Sequence, residues 1–244
     1  MTKKTQSPGE LVFGVHPILE LLKSKRRKIL SLYTTRPEPK SFALIKRYWP
    51  TYPVTINYVD RDVLAKIAGT TDHQSLVAWA QPFPMRKKFF EPAKQPIIVM
   101  LDGIQDPRNL GAILRSAFCT KVDGIIITTR ASAPLNAVAL KSSAGLAEHI
   151  EIYQSPSPQA AALECAKAGY NLYLATFEGK NALACEFKEP MCLVIGGEGF
   201  GISKEILNSG TQITLPQRTP DISYNASVAA GILLFLIATK QNKI

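Results

Sequence analysis

The sequence contains no apolar stretch long enough to cross a membrane. Hydrophobic residues make up 46% of its 244 residues, but the longest apolar stretches, such as residues 229–238, stay well short of the roughly 20 residues that span a bilayer. Residues 1–10 are polar and basic, without the apolar segment of a secretory signal. We therefore expect no membrane association and a cytoplasmic location.

Cysteine is scarce as well, and its spacing argues against both disulfides and metal binding. The four cysteines are scattered along the chain without the spacing of zinc ligands: Cys119, Cys165, Cys185 and Cys192. A chain of this length can bury a sizeable core without covalent cross-links. We expect reduced, mostly buried cysteines, which suit a reducing compartment, and no bound metal.

Acidic residues are scarce in the first part of the chain, so the positive charge is unevenly distributed. The net charge is +10, and residues 1–95 carry the whole excess, with 17 Lys and Arg against 7 Asp and Glu, whereas residues 96–244 contain 12 of each. A basic segment joined to a neutral one indicates that the first binds a polyanion and the second does chemistry. The alternative is a basic surface that only aids solubility. The candidate RNA-contacting residues lie in two short basic runs: Lys25, Arg26, Arg27, Lys28, Lys46 and Arg47.

The pattern of apolar residues divides the chain into two α/β parts. Residues 1–10 are predicted to be a disordered tail, and residues 11–80, in which short helices alternate with strands, a small α/β domain. Residues 81–95 contain three prolines and no regular period, which is typical of a linker. Residues 96–244 begin with an apolar strand at 97–101, and further strands alternate with helices. This pattern predicts a second domain built on a mostly parallel sheet.

The first of three motifs follows that strand, in the sequence Asp102-Gly-Ile-Gln-Asp-Pro-Arg-Asn109-Leu-Gly-Ala-Ile-Leu-Arg115. Ligands of open α/β sheets bind outside the carboxyl ends of the strands, so this turn is well placed for a site. Asn109 suits a helix cap, and Arg115 lies beside apolar residues. An arginine there must extend to solvent, pair with a carboxylate or serve a site.

The second motif is a loop in which Gly196, Gly197, Gly199 and Gly201 surround Glu198. Glycines allow a ligand to approach the backbone closely. Their spacing differs from the dinucleotide-binding fingerprint, and no acidic residue closes a strand about 20 residues further on, which disfavours a nucleotide-dependent oxidoreductase.

The third motif leads from a predicted strand that ends at Pro216, through a polar loop, to an apolar helix. Ser223 and Asn225 lie directly before this helix, where side-chain oxygens can cap the first turn. Taken alone, the segment is equally typical of an ordinary capped helix.

Together and in this order, the three motifs resemble those of the SpoU/TrmH family of RNA ribose 2'-O-methyltransferases. The first resembles the family pattern D-x-x-x-D-P-x-N-x-G-x-x-x-R, the second G-x-E-x-x-G, and the third I/L-P followed by S-L-N-V-S-V-A. The resemblance covers residues 97–240. Residues 13–20 and 73–74 are similar to the substrate-binding domain of members that modify ribosomal RNA.

The resemblance implies transfer of a methyl group from S-adenosylmethionine to a ribose 2'-hydroxyl of structured RNA, more in line with ribosomal than with transfer RNA. It also implies an N-terminal RNA-binding domain and a C-terminal domain with a trefoil knot, which forms homodimers. The implied catalytic residues are Asn109, Arg115, Glu198, Ser223 and Asn225. The implied cofactor-binding residues are Gly196, Gly197, Gly199, Gly201, Leu215, Tyr224 and Ala226.

The chemistry of the implied catalytic residues leaves the proton acceptor open. An arginine essentially never loses its proton in a protein, so Arg115 is a poor general base. It can instead bind the adjacent RNA phosphate and lower the pKa of the 2'-hydroxyl, with Glu198, Ser223 or water taking the proton. Two other functions stay open at this point: a transfer RNA methyltransferase, and a catalytically inactive relative that only binds RNA.

Overall fold

The structure, a computed structural model, describes residues 9–219 and 222–244. Most of the predicted tail, residues 1–8, therefore lies outside the described residues. The chain divides into two compact units, the first formed by Met1–Pro84 and Leu135–His149 and the second by Met85–Pro134 and Ile150–Ile244.

Strands and helices alternate through most of the described chain, as the apolar pattern predicts. The strands are β1 (Glu10–Phe13), β2 (Ile29–Thr34), β3 (Thr55–Tyr58), β4 (Leu76–Ala80), β5 (Ile97–Asp102), β6 (Gly124–Thr128), β7 (Ile152–Ser155), β8 (Asn171–Asn181), β9 (Met191–Gly196) and β10 (Thr211–Thr214). The α-helices are α1 (Val15–Ser24), α2 (Phe42–Lys46), α3 (Arg61–Ala68), α4 (Pro107–Cys119), α5 (Ala137–Ser142), α6 (Pro158–Ala168) and α7 (Ala226–Lys240). Short 3-10 turns cover Leu146–His149, Ala182–Ala184 and Lys204–Ile206.

The first unit is built on a four-stranded sheet in the order β1-β4-β2-β3. Strand β4 is antiparallel to both of its neighbours, whereas β2 and β3 are parallel. Helix α1 buries Ile18, Leu21 and Leu22, because apolar residues three and four positions apart fall on one side of a helix. Strand β3 lies at one edge of the sheet.

A stretch from the second half of the chain completes the first unit. Helix α5 packs on β1, and the turn Leu146–His149 packs on α1. Glu148 in this turn is buried against Arg27, with side-chain exposures of 1% each. The sequence prediction assigned residues 135–149 to the catalytic domain, because nothing local to them indicates a partner more than a hundred residues earlier.

The second unit is built on a six-stranded sheet in the order β10-β8-β9-β5-β6-β7. All neighbouring strands are parallel. Every residue of β5 and β6 is buried, as expected of strands covered on both faces. These findings confirm the mixed α/β class and the mostly parallel sheet, whereas the trefoil knot stays a prediction from the resemblance.

The central pair of strands brings two distant motifs side by side. In the register of β5 and β9, Asp102 is the partner of Gly196. Both residues end their strands, so the first motif and the glycine loop leave the sheet at adjacent points of its carboxyl edge. Strand β8 lies on the other side of β9 and carries β10 at the sheet edge.

Two sequence predictions differ from the structure. Glu10 was assigned to the disordered tail, but it begins β1 and its carboxylate accepts a hydrogen bond from Arg27 Nη1 at 2.8 Å. The predicted linker 81–95 is packed rather than free: Phe90 is 3% exposed in the core of the second unit. Both errors have the same cause: a contact with a residue that is distant in the sequence leaves no regular period of apolar residues. Glu10 is held by Arg27, and Phe90 packs into the core of the second unit.

Candidate active site at the carboxyl edge of the parallel sheet

A buried carboxylate at the end of β5 ties the first motif to the glycine loop. Asp102 is 3% exposed, and its side chain accepts hydrogen bonds from the backbone N–H of Ser203 at 2.7 Å and from Ser203 Oγ at 3.1 Å. Burial raises the pKa of Asp102 above its usual range, and the two Ser203 bonds oppose that shift. Ser203 directly precedes the 3-10 turn Lys204–Ile206, but its hydroxyl binds Asp102 and makes no cap bond to that turn.

The glycine loop lies so close to the first motif that side chains would collide. A Cβ on Gly197 would meet the carbonyl oxygen of Gly103, and one on Gly196 would meet the backbone of Gly201 and Ile202. A Cβ on Gly199 would meet no atom of the described residues within 4 Å. The close approach therefore requires glycine at the first two positions and leaves Gly199 next to open space.

Glu198 connects the glycine loop to the first turn of α4. Its Oε1 accepts a hydrogen bond from Asn109 Nδ2 at 2.5 Å, and its Oε2 accepts one from the backbone N–H of Gln105 at 3.3 Å. Partial burial raises the pKa of Glu198, but the bonds from Asn109 and backbone amides outweigh it and hold the pKa below its usual range. Glu198 is therefore an ionised acceptor that orients Asn109.

Helix α4 begins earlier than predicted and presents Arg115 to solvent. The N-cap is Asp106, whose side chain accepts from Arg108 N at 2.8 Å, and Asn109 lies within the first turn instead of capping it. Arg115 is exposed and forms no ion pair with any described residue. Arg115 therefore does not pair with a described carboxylate, which leaves extension to solvent or a role in the site.

The third motif forms the N-terminal end of α7. Asn225 is the N-cap, and its Oδ1 accepts from Ser227 N at 2.9 Å and from Ser227 Oγ at 2.6 Å. Tyr224 Oη donates to the carbonyl oxygen of Pro216 at 3.4 Å, which closes the loop before the helix. Ser223 is exposed beside them. Asn225 thus has a structural role that its sequence position alone also suggested.

A cavity of about 490 Å³ lies where these loops meet. All seven predicted cofactor-binding residues line it, as do Glu198 and Ser223. Asn109, Arg115 and Asn225 are not among its lining residues. Strand β8 adds a wall that was not predicted from the sequence, formed by Ala175, Thr176, Phe177 and Glu178. A volume of this size, lined by glycine backbone and both apolar and polar side chains, suits a cofactor-sized molecule.

Comparison with known proteins gives the family. Residues 96–235 match the sequence profile of the SpoU rRNA Methylase family, and residues 11–85 match the profile described as RNA 2'-O ribose methyltransferase substrate binding. The first match alone covers more than half of the chain. The chain belongs to the SpoU rRNA Methylase family.

Individual relatives of this SpoU protein match over nearly the whole chain. It is 29% identical over 236 residues to the 23S rRNA (guanosine-2'-O-)-methyltransferase RlmB of Shewanella oneidensis, with 93% of this chain and 95% of the relative covered. It is 31% identical over 249 residues to YacO of Bacillus subtilis, assigned to the TrmH family of tRNA/rRNA methyltransferases, with 96% and 97% covered. The solved structure of an AdoMet-bound rRNA methyltransferase from Sinorhizobium meliloti matches with a TM-score of 0.79 at 21% identity, covering 94% of this chain and 87% of that one.

The SpoU family assignment confirms the resemblance drawn from the three motifs. It also confirms the predicted class of enzyme, an RNA ribose 2'-O-methyltransferase. The likeness to the solved structure, at this low identity, confirms the fold alone. The roles of the individual site residues stay predictions.

The predicted RNA-contacting residues of the first unit divide into two groups. Arg27 is buried: its guanidinium donates to Glu148 through Nη2 at 2.5 Å and Nε at 3.2 Å, and to the carbonyl oxygen of Gln81 at 2.9 Å. Arg26 is half-buried and donates to the carbonyl oxygen of Glu148 at 3.3 Å. We therefore remove Arg27 from the predicted contact set, because a side chain enclosed by carboxylates cannot reach a phosphate.

The remaining members of that set are exposed: Lys25, Lys28, Lys46 and Arg47. Among residues 9–219 and 222–244, no group of three His, Cys, Asp or Glu side chains is arranged to hold a metal ion. None of the helices in those ranges combines the length and apolar character that a membrane crossing requires.

Proposed function

We propose that this SpoU protein transfers a methyl group from S-adenosylmethionine to a ribose 2'-hydroxyl of ribosomal RNA. The observation that carries the proposal is the cavity at the carboxyl edge of the sheet, because residues from all three family motifs line it or border it. The names of relatives support the RNA class, since RlmB of Shewanella oneidensis is a 23S rRNA methyltransferase. We also propose a cytoplasmic location, where such a substrate is available.

The residues that line the cavity are suited to bind S-adenosylmethionine. The backbone of the glycine loop can approach a ligand without interference from side chains, and Leu215, Tyr224 and Ala226 would enclose it from the third motif. The cofactor supplies an activated methyl group on a sulfonium. A metal ion is not needed to activate such a donor, so the protein's task is to align the acceptor and remove its proton.

Arg115 is the residue that we assign to the substrate phosphate. Its guanidinium is exposed, and no described residue pairs with it, so its charge is available to an anion. A guanidinium matches a phosphate with two parallel hydrogen bonds. Such a bond next to the target ribose would favour the 2'-oxyanion and lower the pKa of the hydroxyl that is to be methylated.

The hydrogen bonds of Glu198 argue against it as the proton acceptor. A carboxylate whose pKa is held below its usual range binds a proton weakly. Glu198 instead orients the amide of Asn109 through a 2.5 Å bond, which makes it a positioning residue. Ser223, exposed and in the cavity lining, and water remain the candidates for the proton.

Helix α7 supports the predicted homodimer. Leu233, Leu234 and Ile237 are buried, whereas Val228, Ile232 and Phe235 are exposed. The three exposed residues are four and three positions apart, so they form one apolar face on the helix. An exposed apolar face of this kind suits a two-fold interface between copies of the catalytic unit.

A methyl-transfer assay tests the proposal. The purified chain is incubated with methyl-labelled S-adenosylmethionine and, separately, with ribosomal RNA and transfer RNA from cells that lack this protein. Nucleoside digestion and mass spectrometry then locate the label. We expect a 2'-O-methylnucleoside from the ribosomal RNA. Label on a base, label only in the transfer RNA, or no transfer to either RNA would contradict the proposal.

A further inference from the structure

Four solvent-accessible side chains at one edge of the first unit form an ordered cluster that the catalytic proposal does not use. The guanidinium of Arg36 lies over the ring of Tyr58, 4.1 Å from its centroid. Tyr58 Oη donates to Glu38 Oε1 at 2.7 Å, and Lys46 Nζ binds Glu38 Oε2 at 2.8 Å. Each member is thus held by at least one other, although all of them border solvent.

The location of Tyr58 leaves its stacked partner accessible. Tyr58 is the last residue of β3, the edge strand of the sheet, and is 38% exposed. Arg36 is exposed and has no hydrogen bond or ion pair with any described residue. The guanidinium of Arg36 therefore lies over Tyr58 and remains accessible to a further planar group.

Two more pairs in the same unit repeat the combination of a cation and a tyrosine, here with lysine as the cation. Lys23 lies over the ring of Tyr48 at 5.5 Å, and Lys28 lies over the ring of Tyr52 at 5.3 Å. Tyr52 Oη accepts a hydrogen bond from the backbone N–H that opens β2, at 3.0 Å. Tyr48 is 46% exposed. A tyrosine with a cation over its ring thus lies shortly before β3, at Tyr52, and another lies at the end of β3, at Tyr58.

Duplex RNA and unpaired RNA make different use of such a surface. A duplex presents phosphates, which need only cations, whereas an unpaired base also presents a planar face that stacks on tyrosine or on an arginine plane. A surface kept only for solubility has no need of a stacked arginine and tyrosine that are aligned by a shared carboxylate. The arrangement of Arg36, Tyr58, Glu38 and Lys46 matches the second kind of RNA.

We propose that Arg36 and Tyr58 form a stacking platform for an unpaired base of the RNA substrate, with Lys46 beside it for a flanking phosphate. This inference rests on the proposed function and deepens it, because it specifies that the RNA substrate carries an unpaired or bulged base that the first unit binds. Glu38 is a positioning residue: it orients Tyr58 and Lys46 and does not contact the base.

The test compares the binding of two RNA probes by the full chain. One probe is a single strand of about 12 uridines with a central 2-aminopurine, and the other is a blunt duplex of the same length. Tyr58→Ala should weaken binding of the single strand by about tenfold and leave the duplex almost unchanged. Tyr58→Phe keeps the ring and should bind the single strand nearly as well as the wild type.

The fluorescence of 2-aminopurine reports stacking of the base, and attraction between charges alone does not quench it. Flanking uridines stack poorly, so the free probe is bright, and we expect it to be quenched on binding to the wild type and to Tyr58→Phe but not to Tyr58→Ala. Arg61→Ala is the matched control, because it removes an exposed charge of the same unit that lies over no aromatic ring of the described residues. Arg61→Ala should weaken binding of both probes slightly and to the same extent. Melting temperatures confirm that each variant is folded.

The outcomes separate this inference from the proposed function. Equal losses on both probes with Tyr58→Ala, or an unquenched wild-type complex, would overturn the platform even if the wild type methylates ribosomal RNA. Selective loss with Tyr58→Ala would support the platform even if no methyl transfer is found. A wild-type protein that binds neither probe nor ribosomal RNA would overturn both.

Discussion

Arg27 in the first unit and Arg115 in the second show opposite uses of the same side chain. Arg27 lies in a run of four basic residues, yet it is buried and held by Glu10 and Glu148. Arg115 is flanked by apolar residues on its helix, yet it is exposed and has no ion pair with any described residue. Neighbours in sequence therefore suggested the wrong environment for Arg27, whereas the exposure of Arg115 was one of the alternatives that the sequence left open; burial depends on partners that are distant in the chain.

The difference in burial between Arg27 and Arg115 also separates a contribution to stability from a contribution to catalysis. A buried ion pair stabilises little relative to apolar packing, but removing one partner leaves the other charge without compensation. Replacing an exposed arginine that has no ion pair should change the stability of the fold little, which leaves binding as the role that we propose for Arg115. Arg27 should therefore matter for stability and Arg115 for catalysis.

The largest expected effect is on turnover by Arg115→Ala. If the guanidinium stabilises charge that develops at the 2'-oxygen, the rate of the chemical step should fall by about 100- to 1000-fold. The melting temperature and the affinity for S-adenosylmethionine should stay close to the wild type, because Arg115 does not line the cavity. Single-turnover methylation of ribosomal RNA measures the rate of the chemical step. Calorimetry measures the melting temperature and the affinity for S-adenosylmethionine.

Arg115→Lys is the matched control for that variant. A lysine keeps the charge but cannot copy the two parallel hydrogen bonds of a guanidinium, so it should restore little activity. Near-normal turnover in Arg115→Ala would contradict the catalytic assignment. A large loss of thermal stability in that variant would instead give Arg115 the structural role that we assign to Arg27.

The next effect is on the stability of Arg27→Ala. Glu148 would be left buried without its partner, which typically costs about 3–5 kcal/mol, whereas Lys28→Ala on the exposed neighbour should change the free energy of unfolding by less than about 0.5 kcal/mol. Urea denaturation followed by circular dichroism gives both values. Equal effects of the two substitutions would show that the run is one solvated surface.

The pH dependence of the same variant sharpens this test. Burial raises the pKa of Glu148, with Arg27 opposing the shift, so loss of Arg27 should raise it further. A carboxyl whose folded pKa lies above its unfolded value gains folded-state stability as the pH falls. The deficit of Arg27→Ala should therefore be smaller near pH 5 than near pH 8, and a deficit that grows on acidification would count against an isolated Glu148.

The smallest effect is on the salt dependence of RNA binding. The exposed cations Lys25, Lys28 and Arg47 should each contribute one phosphate contact, so replacing all three with alanine should reduce the slope of log affinity against log salt by about 2–3. Filter binding to ribosomal RNA at several salt concentrations measures the slope. An unchanged slope would mean that these cations do not face the RNA.

The sequence predicted the second unit better than the first, for a physical reason. The apolar strand before Asp102 and the glycine loop around Glu198 are local patterns, and backbone hydrogen bonding of parallel strands brings their ends together. By contrast, the partnership of Asp102 with Ser203 spans 101 residues and leaves no local sign. An aspartate at the end of a wholly buried strand was the available signal for it.

The first unit shows where charge counting fails. The excess of Lys and Arg predicted a polyanion-binding segment, but it could not distinguish Arg27, which is buried, from Lys28, which is exposed. It also gave no weight to Arg36 and Tyr58, since a stacked pair is visible only once β3 and the loop before α2 are folded. The addition of residues 135–149 to this unit likewise depends on long-range packing.

The central claim is that the glycine loop holds the cofactor, and calorimetric titration of S-adenosylmethionine into Gly197→Ala and Gly199→Ala tests it most directly. A methyl group at Gly197 would collide with the carbonyl oxygen of Gly103, whereas one at Gly199 meets no atom of the described residues within 4 Å. We predict that Gly197→Ala weakens binding by about tenfold or more, roughly 1.4 kcal/mol, and that Gly199→Ala, which leaves the backbone contacts of the loop intact, weakens it less. A folded Gly197→Ala protein with wild-type affinity would contradict the account.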